Sequence, residues 1–198
     1  MLTSPPNLLS VSRIALIPVI VALFYVPGDW PRWLACVIFV IAATTDFFDG
    51  WLARNWQMQS PLGRWLDPVA DKLLVAAVIV MLVAFGRAPV LPALVIVLRE
   101  ITVSGLREYL AEVSVGLPVS RLAKWKTAFQ MVAIVFLLLG PAGPDWLPVA
   151  EIGAFCIWVA AVLTLVTGWD YLHKGLQHMT APSDATPRSI GRGTVRSP

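Results

Sequence analysis

Four aspartates in one short stretch are the residues of this 198-residue chain whose type and spacing best suit chemistry. The stretch reads Asp46-Phe-Phe-Asp49-Gly50-Trp-Leu-Ala53-Arg54, then eight residues, then Gly63-Arg-Trp-Leu-Asp67-Pro-Val-Ala-Asp71-Lys72. On helices, a spacing of three sets Asp46 and Asp49 on one face, and a spacing of four does the same for Asp67 and Asp71. Between them Ser60-Pro61 supplies a cap followed by a residue favoured in the first turn. A second helix can therefore start there and run antiparallel to the first, so that the two carboxylate pairs face each other. Arg54 and Lys72 offset part of the repulsion among four carboxylates. An oxygen-rich cluster is also what hard divalent ions such as Mg²⁺ or Mn²⁺ prefer, and two such ions can clamp a phosphate. Gly50 costs about 1 kcal/mol of helix propensity relative to alanine, yet it lets a ligand approach the backbone; Gly63 opens the next polar face in the same way. Plainer readings exist for single residues: Asp67 before Pro68 as an N-cap, Gly50 as a helix-packing contact, Asp46 or Asp49 as an arginine partner.

The elements that must position these groups are apolar. Hydrophobic residues make up 58% of the chain and charged residues only 14%, a composition from which no water-soluble surface can be built. Six apolar runs stand out: 14–26, 33–45, 73–85, 89–103, 129–139 and 146–167. Crossing a hydrocarbon core takes roughly 20 helical residues, so most runs must be completed by polar neighbours. The first, third and fifth carry that extension at their N-terminal ends (Asn7, Ser10, Arg13; Asp67, Asp71, Lys72; Lys124, Lys126). The second, fourth and sixth carry it at their C-terminal ends (Asp46, Asp49, Arg54; Arg99, Glu100, Arg107, Glu108; Asp170, His173, Lys174).

Alternate crossing then gathers every polar helix end on one side. Of the 15 Lys and Arg, all but Arg32 and Arg87 fall there, and the positive-inside bias makes that side cytoplasmic, with both termini on it. The expected fold is all-α: a polytopic integral membrane protein of six transmembrane helices, with a polar metal-binding bowl on the cytoplasmic side. Trp30, Trp33 and Trp146 near the opposite helix ends fit an interfacial belt, although each also fits ordinary packing. A carboxylate at a helix centre in the membrane costs roughly 2.5–3.5 kcal/mol, less near the interface, so four of them at one depth point to function.

Other classes of function are excluded or weakened. The net charge of +3 is not gathered into a stripe with stacking aromatics, so no nucleic-acid partner is expected. Cys36 and Cys156 lie in apolar stretches without metal or redox spacing and read as small buried hydrophobes. Arg13 follows Leu8 and Leu9, and no small-residue cleavage site closes the first run, so that helix reads as permanent rather than as a signal. Residues 180–198, rich in Pro, Ser, Thr, Gly and Arg, read as a disordered basic cytoplasmic tail. His173 and His178 lie far along the chain and read as solvated or headgroup-facing.

The carboxylate stretch matches D-x2-D-G-x2-A-R-x8-G-x3-D-x3-D at every defined position, and in this it resembles the CDP-alcohol phosphotransferases. The resemblance extends over most of residues 1–174. It implies a six-helix membrane domain over 1–179, in the bacterial cytoplasmic (inner) membrane, with the active site facing the cytoplasm. It further implies that Asp46, Asp49 and Asp67 hold two divalent ions, Mg²⁺ or Mn²⁺. Asp71 would be a further ligand and the general base, and Gly50, Ala53, Arg54 and Gly63 would border the cytidine diphosphate. A homodimer is implied by the same analogy.

Shorter motifs narrow the expectation. Asn7-x2-Ser10-x2-Arg13, TDFFDGWLAR, WLDPVADK, Arg99-Glu100…Ser104…Arg107-Glu108 and KWKT at 124–127 are similar to bacterial members of the family that use glycerol 3-phosphate. The implied reaction transfers a phosphatidyl group from CDP-diacylglycerol to sn-glycerol 3-phosphate and releases CMP. A dianionic acceptor needs basic groups, and Arg99, Arg107, Arg121, Lys124 and Lys126 are available. Arg99 and Arg107 lie close to two helical turns apart, so both can face one cavity, and arginine suits forked phosphate contacts. Pairing with Glu100, Glu108 and Glu112 is the alternative role for these cations. Asn7, Ser10, Arg13 and Ser104 join the acceptor set through the motifs.

Two other readings compete. One is a family member with a different acceptor: serine, inositol phosphate, or phosphatidylglycerol as in a cardiolipin synthase. The other is a small cation transporter, which the almost wholly apolar opposite helix halves argue against. The lipid donor requires a lateral groove near the cytoplasmic leaflet, and the sequence alone does not say which helices line it.

Overall fold

The computed structural model describes the backbone of residues 5–56, 61–112 and 121–180, and the side chains of 11–45, 69–110 and 122–173. Six helices account for most of it: α1 (Pro5–Phe24), α2 (Trp30–Trp56), α3 (Pro61–Ala84), α4 (Val90–Glu112), α5 (Arg121–Leu139) and α6 (Val149–Thr180), with a short 3₁₀ turn at Gly140–Ala142. Each helix overlaps one of the six apolar runs, and the longer ones extend well beyond it into the polar flank. Proline opens three of them, where its missing N–H costs nothing: Pro5 and Pro6 in α1, Pro31 in α2, Pro61 in α3.

The stops are as local as the starts. Helix α3 ends where Gly86 takes a left-handed φ of 67°, which lets Gly86 N donate to Val83 O (2.9 Å) and Arg87 N to Leu82 O (2.7 Å), closing the last turn. Gly140, at φ 49°, turns the chain out of α5 in the same conformation. At the start of α2 the Asp29 carbonyl accepts from Arg32 N and Trp33 N.

The helices pack as a closed ring in the order α1, α3, α4, α6, α5, α2 and back to α1. Helices α2 and α3, consecutive in sequence and carrying the aspartates, touch each other only slightly; α1 packs against both and ties them together. The interior is filled by Ile20 and Phe24 of α1, Phe39 of α2, Leu74, Val78 and Leu82 of α3, Ile96 of α4, Ile134 and Leu138 of α5, and Ile157 of α6. Cys36 and Cys156 are free thiols buried in this core, in keeping with their apolar setting.

The outside is as apolar as the inside. Val37, Ile41, Val80, Leu91, Leu94, Leu98, Phe155, Val162 and Leu165 are all exposed, a surface that water does not tolerate and hydrocarbon does. Leu122–Ala142 and Val149–His173 are long and apolar enough to cross a membrane, and α1 and α2 contain shorter apolar stretches, Val11–Phe24 and Trp30–Thr45. Trp30, Trp33 and Trp146 are exposed near the helix ends remote from the aspartates. Trp33 also serves packing, since its indole N–H donates to Ala142 O at 3.0 Å.

The most extensive contact, α5 on α6, depends on Gly153. A Cβ there would lie 2.9 Å from Leu137 Cγ and 3.1 Å from the Leu137 backbone nitrogen, so the two helices meet nearly backbone to backbone. Gly153→Val is expected to destabilise the bundle by about 1–3 kcal/mol through overpacking, read as a lowered melting temperature in detergent.

Candidate active site

Three cavities converge on the polar ends of α2 to α5. A small one of about 90 Å³ is lined by Asp71 and Lys72 of α3, Glu100 of α4, and Lys126, Thr127 and Gln130 of α5. The second, of about 770 Å³, is basic, with Arg99 and Arg107 of α4, Lys124 and Lys126 of α5, and Tyr171 of α6 in its wall. The third, of about 570 Å³, is an apolar groove between α2 and α5, walled by Phe39, Val40, Ala43, Val132, Val135 and Phe136. Its polar end is made by Asp71, Thr44 and Thr127. Thr127 and Met131 border all three cavities, and Asp71 borders the first and the third.

The charges at this junction are interlocked. Lys126 is buried and forms an ion pair with Glu100, which also accepts from Arg99 Nη1 at 3.3 Å. Lys72 donates to Ser104 Oγ of α4, and Ser104 Oγ lies 3.5 Å from Glu108 Oε1. These two links, Lys126–Glu100 and Lys72–Ser104, tie α4 to α5 and to α3 across the polar end of the bundle. Among the described residues, four cations against the one carboxylate of Glu100 make the lining of the second cavity positive, as an anionic ligand requires.

Of the residues singled out by sequence, Asp71, Arg99, Arg107, Lys124 and Lys126 are brought together around this junction. The pairing considered for the cations is present for Arg99 and Lys126, which bond Glu100 and also line the cavity. Ser104 belongs to the Lys72 link and does not line the basic cavity. Arg13 is buried on α1, among the helices of the aspartates rather than in the basic wall. Asp46, Asp49, Gly50, Ala53 and Arg54 lie on α2, Gly63 and Asp67 on α3, Asn7 and Ser10 on α1, and Arg121 opens α5; their side chains lie outside the described residues. The 180–198 tail does too, apart from Thr180, whose backbone closes α6.

Among the described residues no three His, Cys, Asp or Glu side chains stand together as a metal site, three of the four motif aspartates lying outside that set. The helical backbone keeps each aspartate pair one turn apart, and Asp71 borders a cavity, an all-carboxylate donor set that suits a hard divalent ion. Sequence reasoning missed Thr127, Thr167 and Tyr171. The first stands in the KWKT motif; the other two lie one turn apart on α6, and that spacing beside a polar helix end is the signal they carry.

Residues 3–166 match the CDP-alcohol phosphatidyltransferase family. The chain is 47% identical over 166 residues to a CDP-diacylglycerol–glycerol-3-phosphate 3-phosphatidyltransferase of Rickettsia bellii (strain RML369-C), covering 84% of this chain and 92% of that one. It is 44% identical over 171 residues to the protein of that name from Escherichia coli (strain K12), covering 84% and 92%. With the one from Cereibacter sphaeroides it shares 38% over 214 residues, covering 89% and 97%.

Proposed function

Because this chain belongs to the CDP-alcohol phosphatidyltransferase family, we propose that it transfers the phosphatidyl group of CDP-diacylglycerol to sn-glycerol 3-phosphate, forming phosphatidylglycerophosphate and CMP in phospholipid biosynthesis. The observation that carries this reading is the junction at Thr127 and Met131, where an apolar groove with Asp71 at its polar end meets a cavity lined by four cations. A lipid donor and a phosphorylated alcohol need those two surroundings side by side. Four cations favour a phosphorylated acceptor over serine or a neutral alcohol.

The groove between α2 and α5 takes the diacylglycerol portion, and Arg99, Arg107, Lys124 and Lys126 take the phosphate of the acceptor. Its free primary hydroxyl is thereby held toward Asp71, whose carboxylate accepts the hydroxyl proton. The hydroxyl oxygen bonds to the phosphorus that bears diacylglycerol as the bond from that phosphorus to CMP breaks. Attack is direct, because no Ser, Cys or His with an adjacent base stands at the junction among the described residues. The family depends on divalent metal. Mg²⁺ or Mn²⁺, held by Asp46, Asp49, Asp67 and Asp71, supplies when bound the polarisation of the pyrophosphate and the neutralisation of charge on CMP. Gly50, Ala53, Arg54 and Gly63 border the cytidine diphosphate.

All six helices cross the bacterial inner membrane, and the junction opens to the cytoplasm. Support comes from the clustering of every Lys and Arg but Arg32 and Arg87 at one set of helix ends. The test is CMP release by the detergent-purified protein with Mg²⁺ or Mn²⁺, offering glycerol 3-phosphate, serine, inositol phosphate and phosphatidylglycerol in parallel. Release with glycerol 3-phosphate alone is expected. Release with a different alcohol alone overturns the acceptor.

A further inference from the structure

Arg99, a cation of the basic cavity, rests on α6, and what it rests on lies just past residue 166, where the family match ends. Its Nη2 donates to Thr167 Oγ1 at 3.1 Å. Its guanidinium carbon stands 5.7 Å from the centre of the Tyr171 ring, within cation–π range. Its stem lies on Gly168, where a Cβ would come within 2.9 Å of Arg99 Cγ and 3.4 Å of Nε. Thr167 and Tyr171 are one helical turn apart and both buried, so they form one surface on α6. The Thr167 hydroxyl donates its own hydrogen to Leu163 O at 2.8 Å, which leaves its oxygen free to accept from the arginine.

Resting on the proposed activity, we infer that Thr167, Gly168 and Tyr171 form a seat of positioning residues that holds the Arg99 guanidinium ready for the phosphate of the acceptor. A loose arginine has many rotamers, and ordering one during binding costs affinity. Here the stem is laid on backbone, one edge is bonded to Thr167, the face is covered by Tyr171, and Nη1 is bonded to Glu100. Each terminal nitrogen still has a second N–H, the fork that a phosphate accepts from. The seat thus selects for a phosphorylated acceptor from a helix that carries none of the four motif aspartates.

The test is steady-state kinetics of the full chain in detergent, with glycerol 3-phosphate varied at saturating CDP-diacylglycerol. Thr167→Val removes the acceptor oxygen at nearly constant shape and is expected to raise KM for glycerol 3-phosphate about fivefold to tenfold, the value of one hydrogen bond, with kcat and the lipid KM within about twofold. Thr167→Ser restores KM. Added to Arg99→Ala, Thr167→Val has no further effect, because both act through the same guanidinium. Should Thr167→Val fail to fold, Tyr171→Leu against Tyr171→Phe asks the same question, since only the phenylalanine keeps a ring face; KM is expected to rise in the leucine variant alone. An unchanged KM in Thr167→Val, a loss confined to kcat, or additivity with Arg99→Ala overturns the seat. Failure of the wild-type protein to use glycerol 3-phosphate removes the activity reading first, before any variant is compared.

Discussion

Asp71→Asn is expected to lower kcat for CMP release by about 10²–10⁴-fold, the range that a positioned general base contributes. Asn has the shape of Asp but does not accept the hydroxyl proton at neutral pH. Asp71 borders the small cavity and the apolar groove and lies outside the apolar core, so the exchange disturbs no packed layer. The variant should therefore be extracted and melt like the wild type, with the loss confined to turnover. Rates measured at saturating concentrations of both substrates, beside a thermal melt of the same preparation, decide the matter. A variant keeping more than about a tenth of the wild-type kcat would assign the proton to another group.

Lys126→Met should lower kcat/KM for glycerol 3-phosphate by about a hundredfold, the value of one strong hydrogen bond to a charged group. Lys126 is only 4% exposed and, among the described residues, is the one cation that lines both the small cavity beside Asp71 and the basic cavity. Among the described residues, its removal also leaves Glu100 with Arg99 as its cation partner. Breaking a fully buried ion pair costs about 3–5 kcal/mol, and a Glu100 side chain that is 25% exposed brings the cost here below that range. The two effects separate in the double variant Lys126→Met/Glu100→Gln, where no uncompensated carboxylate remains. Its melting temperature should recover while kcat/KM stays low. Recovery of kcat/KM in the double variant would reduce Lys126 to a partner for Glu100.

The six helices were legible because each apolar run marks one and polar neighbours were at hand to extend it: α3 begins at Pro61, twelve residues before its run, and α6 ends at Thr180, thirteen after its run. The turns were legible too, from Gly86, Gly140 and the prolines, because left-handed backbone and missing N–H groups are properties of single residues. The carboxylate frame was readable for a related reason. Spacings of three and four residues on a helix are local geometry, independent of how the helices are arranged.

The arrangement itself was not readable. A helix in a membrane is apolar toward lipid and apolar toward its neighbours, so its pattern carries no stripe to say which side meets which helix. The antiparallel pairing expected of α2 and α3 is accordingly weak in the structure, with α1 packed against both, and only the closed ring places the apolar groove between α2 and α5. The basic residues of α4 and α5 announced an anion pocket by charge alone. That Arg99 would be seated on Thr167, Gly168 and Tyr171 depended on α6 packing against α4 some seventy residues later, a contact between distant elements that no local spacing encodes.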